Sequence, residues 1–219
     1  MIGKQISHFE ILDKIGEGGM GVVYKARDLQ LKRDVVLKFL SKNFVRDEDA
    51  RNRFFLEARA AAALDHSNIC TVYGIHQDNG RIFIVMSFIE GKSLKDRMDE
   101  GSLDLNDALD IAAQAAQGLQ EAHLKGIVHR DIKPSNIMIN SKGQVKIMDF
   151  GLAKISWEED LTKTASIVGT VKYMSPEQAQ GEKLDAQTDI WSWGVMFYEL
   201  LTGVYPFKGY NELSVLFPS

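Results

Sequence analysis

The chain has 219 residues, 45% hydrophobic and 26% charged, with a formal net charge of -4. That is the composition of a globular protein large enough for one sizeable core or two small lobes, and its net charge gives no electrostatic reason to expect nucleic acid. A single cysteine, Cys70, excludes an internal disulfide and fits a reducing cytoplasm, and no apolar run is long enough to enter a membrane. The start, Met1-Ile2-Gly3-Lys4, has neither a signal peptide nor the glycine that N-myristoylation requires.

In chain order, the first runs are β-branched or alternating. Phe9 to Ile15, Val22 to Ala26 and Val35 to Leu40 predict strands separated by glycine or polar turns. A helix rich in Ala, Glu and Arg is expected at about Glu48 to Leu64, then strands at Thr71 to His76 and Arg81 to Phe88. After Gly91 the period changes. Ala108, Ile111, Ala112, Ala115, Leu119 and Ala122 recur at helical spacing, with Gly126 where a C-terminal cap would stand. Short strands are expected at Ile127-Val128, Ile137 to Ile139 and Val145 to Met148. A last helix, about Ala186 to Leu201, is apolar on most sides and so predicted to be buried. Strands first and helices after argue for an α+β chain with two lobes, 1–86 and 92–219, joined by a hinge at 87–91.

Gly16-Glu17-Gly18-Gly19-Met20-Gly21 is a string that a dinucleotide-binding turn or a strand-joining loop can carry. The first needs a helix next, whereas Val22 to Ala26 reads as a strand. A glycine loop between antiparallel strands can lay backbone N–H groups over phosphates, because no Cβ blocks the approach; a plain glycine hairpin accounts for the string as well. Lys38, inside the apolar Val35 to Leu40, is costly to bury without an anion. Phosphate oxygens or Glu57 on the following helix would supply one. The alternatives are an edge lysine facing water and a surface pairing of Glu57 with Arg53. On a pleated strand Val36 and Lys38 share a face.

The strongest signal is His129-Arg130-Asp131-Ile132-Lys133-Pro134-Ser135-Asn136, followed by Asp149-Phe150-Gly151. Phosphoryl transfer needs a carboxylate to orient the incoming hydroxyl, oxygen ligands for Mg²⁺ and a cation near the transferring group. Asp131, then Asn136 with Asp149, then Lys133 provide those parts.

With these strings in this order, the sequence resembles the protein kinases, in particular the eukaryotic-like bacterial serine/threonine kinases, from about His8 to about Phe207. The resemblance implies a two-lobed fold: a small antiparallel β-sheet lobe with one helix, then a mainly helical lobe whose later helices are missing. It implies ATP and Mg²⁺, or Mn²⁺ in its place, as cofactors. Ile15, Gly16, Glu17, Gly18, Gly19, Met20 and Gly21 would cover the nucleotide. Lys38, paired to Glu57, would hold its phosphates. Asp131 would be the catalytic base and Lys133 a phosphate contact, with Asn136 and Asp149 as metal ligands. Val23, Val36 and Met138 would enclose the adenine, beside Met86 and the backbone of Ser87 and Ile89. Lys133 and Thr170 imply serine/threonine substrates. Arg130 implies control through phosphorylation of the activation segment, at Thr162 and Thr164 or at Ser166, with a homodimer as the setting for trans-autophosphorylation. A cytoplasmic location is expected, with no nucleic-acid partner.

The sequence departs from that pattern at several points. Val36 stands where the family has alanine, and Ser175 replaces the alanine of Ala-Pro-Glu, in a Ser-Pro-Glu-Gln version through Gln178. The end at Ser219 predicts that Glu177 lacks its usual arginine partner. An inactive kinase-like scaffold is the competing reading; the presence of Lys38, Asp131 and Asp149 argues against it. The five histidines show no metal-ligand spacing.

Overall fold

A computed structural model describes residues 1–18, 21–41, 48–101, 103–150 and 171–207. The chain divides into two compact units, Met1–Asp65 with Cys70–Phe88, and His66–Ile69 with Ile89–Ser219.

Among its described residues the first unit is a six-stranded antiparallel sheet with one helix. Its strands are β1 (Gln5–Ile6), β2 (Phe9–Gly18), β3 (Gly21–Asp28), β4 (Arg33–Leu40), β5 (Val72–Asp78) and β6 (Arg81–Ser87), in the order β1-β2-β3-β4-β6-β5. Period-2 alternation gives β4 two faces. Val35, Leu37 and Phe39 join Phe9, Ile11, Ala26, Phe83 and Val85 in one buried cluster. Val36 and Lys38 point to the opposite side. The helix α1 (Glu48–Ala62) packs against β5.

Among its described residues the second unit holds a three-stranded sheet, β7 (Gly91–Ser93), β8 (Ile137–Asn140) and β9 (Val145–Ile147), and four α-helices. α2 (Leu94–Glu100) starts with a capping box in which Ser93 and Asp96 satisfy each other's backbone N–H. α3 (Leu105–Leu124) is N-capped by Asp104 and buries Ala108, Ile111, Ala112, Ala115, Leu119 and Ala122, the stripe its sequence period predicts. It stops where Gly126 adopts φ 71°, a left-handed conformation that glycine enters at no steric cost. α4 (Pro176–Ala179) is one turn long, and α5 (Ala186–Thr202) is capped by Asp185 and Gly203.

Three expectations change. Ile127-Val128 forms no strand but runs as irregular chain into the 129–136 segment. Residues His66–Ile69 belong with the second unit. Ile69 bridges Ile147, and the buried Asn68 side chain donates to Gln114 Oε1 and to the Val145 carbonyl, both at 3.0 Å. Finally, α5 is only half buried: Ile190, Trp191, Tyr198 and Leu201 are exposed, and the Trp191 ring stacks on Phe207 at 5.3 Å. Overall apolarity could not show which face of this helix the unit covers.

Candidate functional site

In the first unit the strand register decides which side chains are neighbours. Val23 lies opposite Lys38, Lys38 opposite Ile84, and Val36 opposite Met86. Residues opposed in an antiparallel pair share a face, so Val23, Val36, Lys38 and Met86 form one surface on the side away from the aromatic core. Lys38 is half-buried there. Glu57 is half-buried on α1. The glycine string joins two strands, with Gly18 paired to Gly21. A Cβ on Gly21 would fall 1.8 Å from the Phe39 carbonyl oxygen, so close packing against β4 already requires glycine there. Ile15 is exposed, and Glu17 forms an ion pair with Lys14 on the surface. Ser87 accepts or shares a hydrogen bond with the Cys70 thiol, Oγ to Sγ 3.3 Å.

In the second unit the 129–136 segment gathers three candidates at one carboxylate. Asp131 Oδ2 lies 2.8 Å from Lys133 Nζ and accepts from Asn136 Nδ2 at 2.9 Å. The same Nδ2 reaches the Asp131 carbonyl at 2.8 Å, so the Asn136 amide nitrogen is committed to Asp131 and its Oδ1 faces elsewhere. Two hydrogen bonds carry this geometry onward. Met148 N–H donates to the Asn136 carbonyl at 2.8 Å, and His129 Nε2 donates to the Met148 carbonyl at 2.7 Å. Asp149 is the next residue. Met138, on β8, and Ile89 are half-buried.

His129 is fully buried, and its two neighbours define its tautomer. Asp131 N–H donates to Nδ1 at 3.1 Å, so the ring's proton must sit on Nε2, facing the Met148 carbonyl. The Phe150 ring packs edge-on against His129 at 4.7 Å. Arg130 and Asp149 adopt φ of 69° and 57°. Left-handed backbone in a non-glycine residue costs about 1–3 kcal/mol, persists only where surrounding contacts dictate it, and clusters at functional sites.

Those contacts come from residues with no assigned role in the sequence reading. Asp189, completely buried on α5, accepts from Arg130 N–H at 2.7 Å through Oδ1. Its Oδ2 accepts from His129 N–H at 2.8 Å and from His123 Nε2 on α3 at 2.7 Å. A buried carboxylate needs such donors. The available signal was an aspartate in a helix, Ala186 to Leu201, that is apolar on most sides.

The segment after residue 170 is equally polar in its ties. Tyr173 donates to Glu199 Oε2 at 2.6 Å and its hydroxyl lies 3.0 Å from that of Tyr205. Burial first, then these hydrogen bonds, push the Tyr173 hydroxyl far above its ordinary value, so it stays protonated. Glu177, for which no arginine partner is expected, accepts a hydrogen bond from Thr188 Oγ1 at 2.7 Å. Burial pushes its carboxyl up, but hydrogen bonds from Thr188, the backbone and Ser175 outweigh that and leave it below its ordinary value. Gly19, Met20, Thr162, Thr164, Ser166 and Thr170 lie outside the described residues, as does the Arg53 side chain. Among the described residues no group of three or more His, Cys, Asp or Glu forms a metal site, and no helix is long and apolar enough to cross a membrane.

A family profile described as "Protein kinase domain" matches residues 9–216. A probable serine/threonine-protein kinase of Clostridium acetobutylicum is 43% identical over 217 residues, 98% of this chain and 33% of that protein. Serine/threonine-protein kinase PrkC of Bacillus subtilis is 41% identical, over 98% of this chain and 34% of its own length. PknB of Mycobacterium leprae is 42% identical over 215 residues, 35% of its length. The chain thus spans about a third of the curated relatives it matches. Among solved structures, the PknI kinase domain of Mycobacterium tuberculosis superposes with TM-score 0.77 at 25% identity, covering 95% of this chain and 78% of that one.

Proposed function

The chain belongs to the protein kinase domain family, and from that membership we propose that it transfers the γ-phosphoryl group of ATP to serine or threonine hydroxyls of protein substrates. The observation that carries this reading is the constellation at Asp131: one carboxylate oxygen with Lys133 Nζ at 2.8 Å and Asn136 Nδ2 at 2.9 Å.

In the reaction, the substrate hydroxyl is held by the Asp131 carboxylate, which takes its proton as the oxygen–phosphorus bond forms and ADP departs with the electrons of the broken bond. Lys133 sits where negative charge on the transferred group needs a cation. Val23, Val36 and Met86 present an apolar surface suited to an adenine ring; Met138 and the Ser87 and Ile89 backbone are proposed as adenine contacts on sequence grounds alone. Lys38 shares that first face and is proposed to hold the phosphates with Glu57 as its counter-ion, and the Ile15 to Gly21 string is proposed on sequence grounds to cover them. The donor chemistry fits a divalent cation of the magnesium class: Asn136 Oδ1 and the Asp149 carboxylate would be its hard oxygen ligands, and substrate phosphates would complete the set. Bound there, Mg²⁺ or Mn²⁺ supplies charge neutralisation at the phosphates. Regulation through Arg130 and phosphorylation of Thr162, Thr164 or Ser166, docking through Thr170, trans-phosphorylation within a homodimer and a cytoplasmic location remain part of the proposal on sequence grounds.

The test is transfer of radiolabelled γ-phosphate by the purified chain with Mg²⁺ and a basic protein substrate, beside Asp131→Asn. The parent is expected to transfer label and the variant to lose about 10²- to 10⁴-fold in rate. ATP binding by the parent without transfer would replace the enzyme with a nucleotide-binding scaffold.

A further inference from the structure

α4 is a single turn, yet its third residue is among the most enclosed polar side chains described: Gln178 is 5% exposed. Both ends of its amide are used. Oε1 accepts the Ser175 N–H at 3.0 Å, and Nε2 donates to the Arg130 carbonyl at 2.8 Å, 48 residues away in the chain. Ser175 completes the local half, its Oγ accepting the Gln178 N–H at 3.3 Å in a reciprocal capping box.

The capping box needs only an acceptor on this side chain, and a glutamate would serve it equally. The Arg130 carbonyl needs a donor, which a carboxylate cannot be at neutral pH. The amide of Gln178 is therefore explained by Arg130 and not by the helix it caps. That carbonyl also belongs to a particular peptide plane. The Arg130 C=O and the Asp131 N–H are the two polar ends of one rigid peptide unit. Gln178 holds the first end and His129 Nδ1 holds the second at 3.1 Å. The residue on one side of the plane is the strained Arg130, and the residue on the other is the proposed base.

We propose that Gln178 is a positioning residue for Asp131, clamping the peptide plane that precedes it and so tying the capped turn of α4 to the proposed catalytic carboxylate. This rests on the kinase reading given above. Loosening the plane displaces Asp131 without removing any group that touches substrate.

The experiment compares Gln178→Glu with Ser175→Ala in the 219-residue chain. The first keeps the acceptor for Ser175 N–H and sets an oxygen against the Arg130 carbonyl; the second weakens the capping box and leaves the clamp. Two readouts are taken: kcat and KM for ATP, and hydrogen–deuterium exchange of a peptide spanning residues 127–133, which needs no activity. Gln178→Glu is expected to lower kcat on the order of 10- to 100-fold with KM for ATP within about twofold, and to speed exchange at 127–133. The defect should shrink as pH falls, because the protonated carboxyl can donate again. Ser175→Ala should lower the melting temperature with slow exchange at 127–133 retained. Equal effects of the two substitutions, or unchanged kcat or exchange in Gln178→Glu, would reduce Gln178 to a helix cap. Should Gln178→Glu fail to fold, Gln178→Met, uncharged and of like length, is read by the same pair of measurements. If the parent transfers no phosphate, the kinase reading falls, while the exchange data still decide the clamp.

Discussion

Lys38 and Asp131 are held in place by different kinds of force. Around Lys38, the strand is fixed by apolar bulk: Val35 and Leu37 are completely buried, Phe39 is nearly so, and the ladder to β3 and β6 runs in unbroken register. Around Asp131 the backbone is irregular, and its shape is set by directed bonds from Asp189, His129, Asn136 and Gln178. Apolar packing is non-directional, so it tolerates small adjustments. Buried hydrogen bonds are not: a lost partner leaves a polar group stranded. The sheet should therefore fail by losing stability, the 129–136 segment by losing geometry.

The largest expected effect tests the second half of that contrast. Asp189→Asn turns one of the acceptors facing His129 N–H, Arg130 N–H and His123 into a donor. It should cost about 3–5 kcal/mol in urea unfolding and also lower kcat of the protein that remains folded. Next, Leu37→Ala opens a cavity beneath the sheet and should cost about 2–4 kcal/mol by the same measurement, with kcat of the folded fraction within about threefold of the parent. An equal loss of turnover in both variants would break the distinction. The smallest effect concerns His76, whose ring stacks on Phe83 at 5.7 Å and meets Phe9 edge-on at 5.5 Å. Burial, then the neighbouring His8, lower its imidazole below the ordinary 6.5, against an upward pull from Asp28. The unfolded chain then takes up the proton first, so stability should decline as pH falls below about 6.5. In His76→Phe the urea midpoint should vary less between pH 7 and 5 than in the parent.

This division also governs what could be read before any coordinates. β4, the stripe of α3 and the strand after the glycine string announced themselves by period, because burial of one face leaves a pattern in the residues. The Asp131, Lys133 and Asn136 grouping was legible by motif, since the three stand within six residues in a string that resembles the protein kinases. Asp189, His123 and Gln178 left no periodic trace: each is defined by a partner 48 to 66 residues away. The irregular path of Ile127-Val128 escaped for the same reason, as two β-branched residues suggest a strand until Asp189 claims the backbone that follows. Which face of α5 lies open is likewise a property of its neighbours and not of its composition.

The buried carboxylate of Asp189 has a kinetic corollary. Irregular segments ordinarily open and close at little cost, being joined to the rest by few buried contacts. The stretch at His129-Arg130 cannot lift away without stripping two N–H groups from an oxygen pair that also anchors α3 through His123. Its breathing is thereby coupled to that of two helices, and a segment with the outline of a loop acquires the persistence of a helical core.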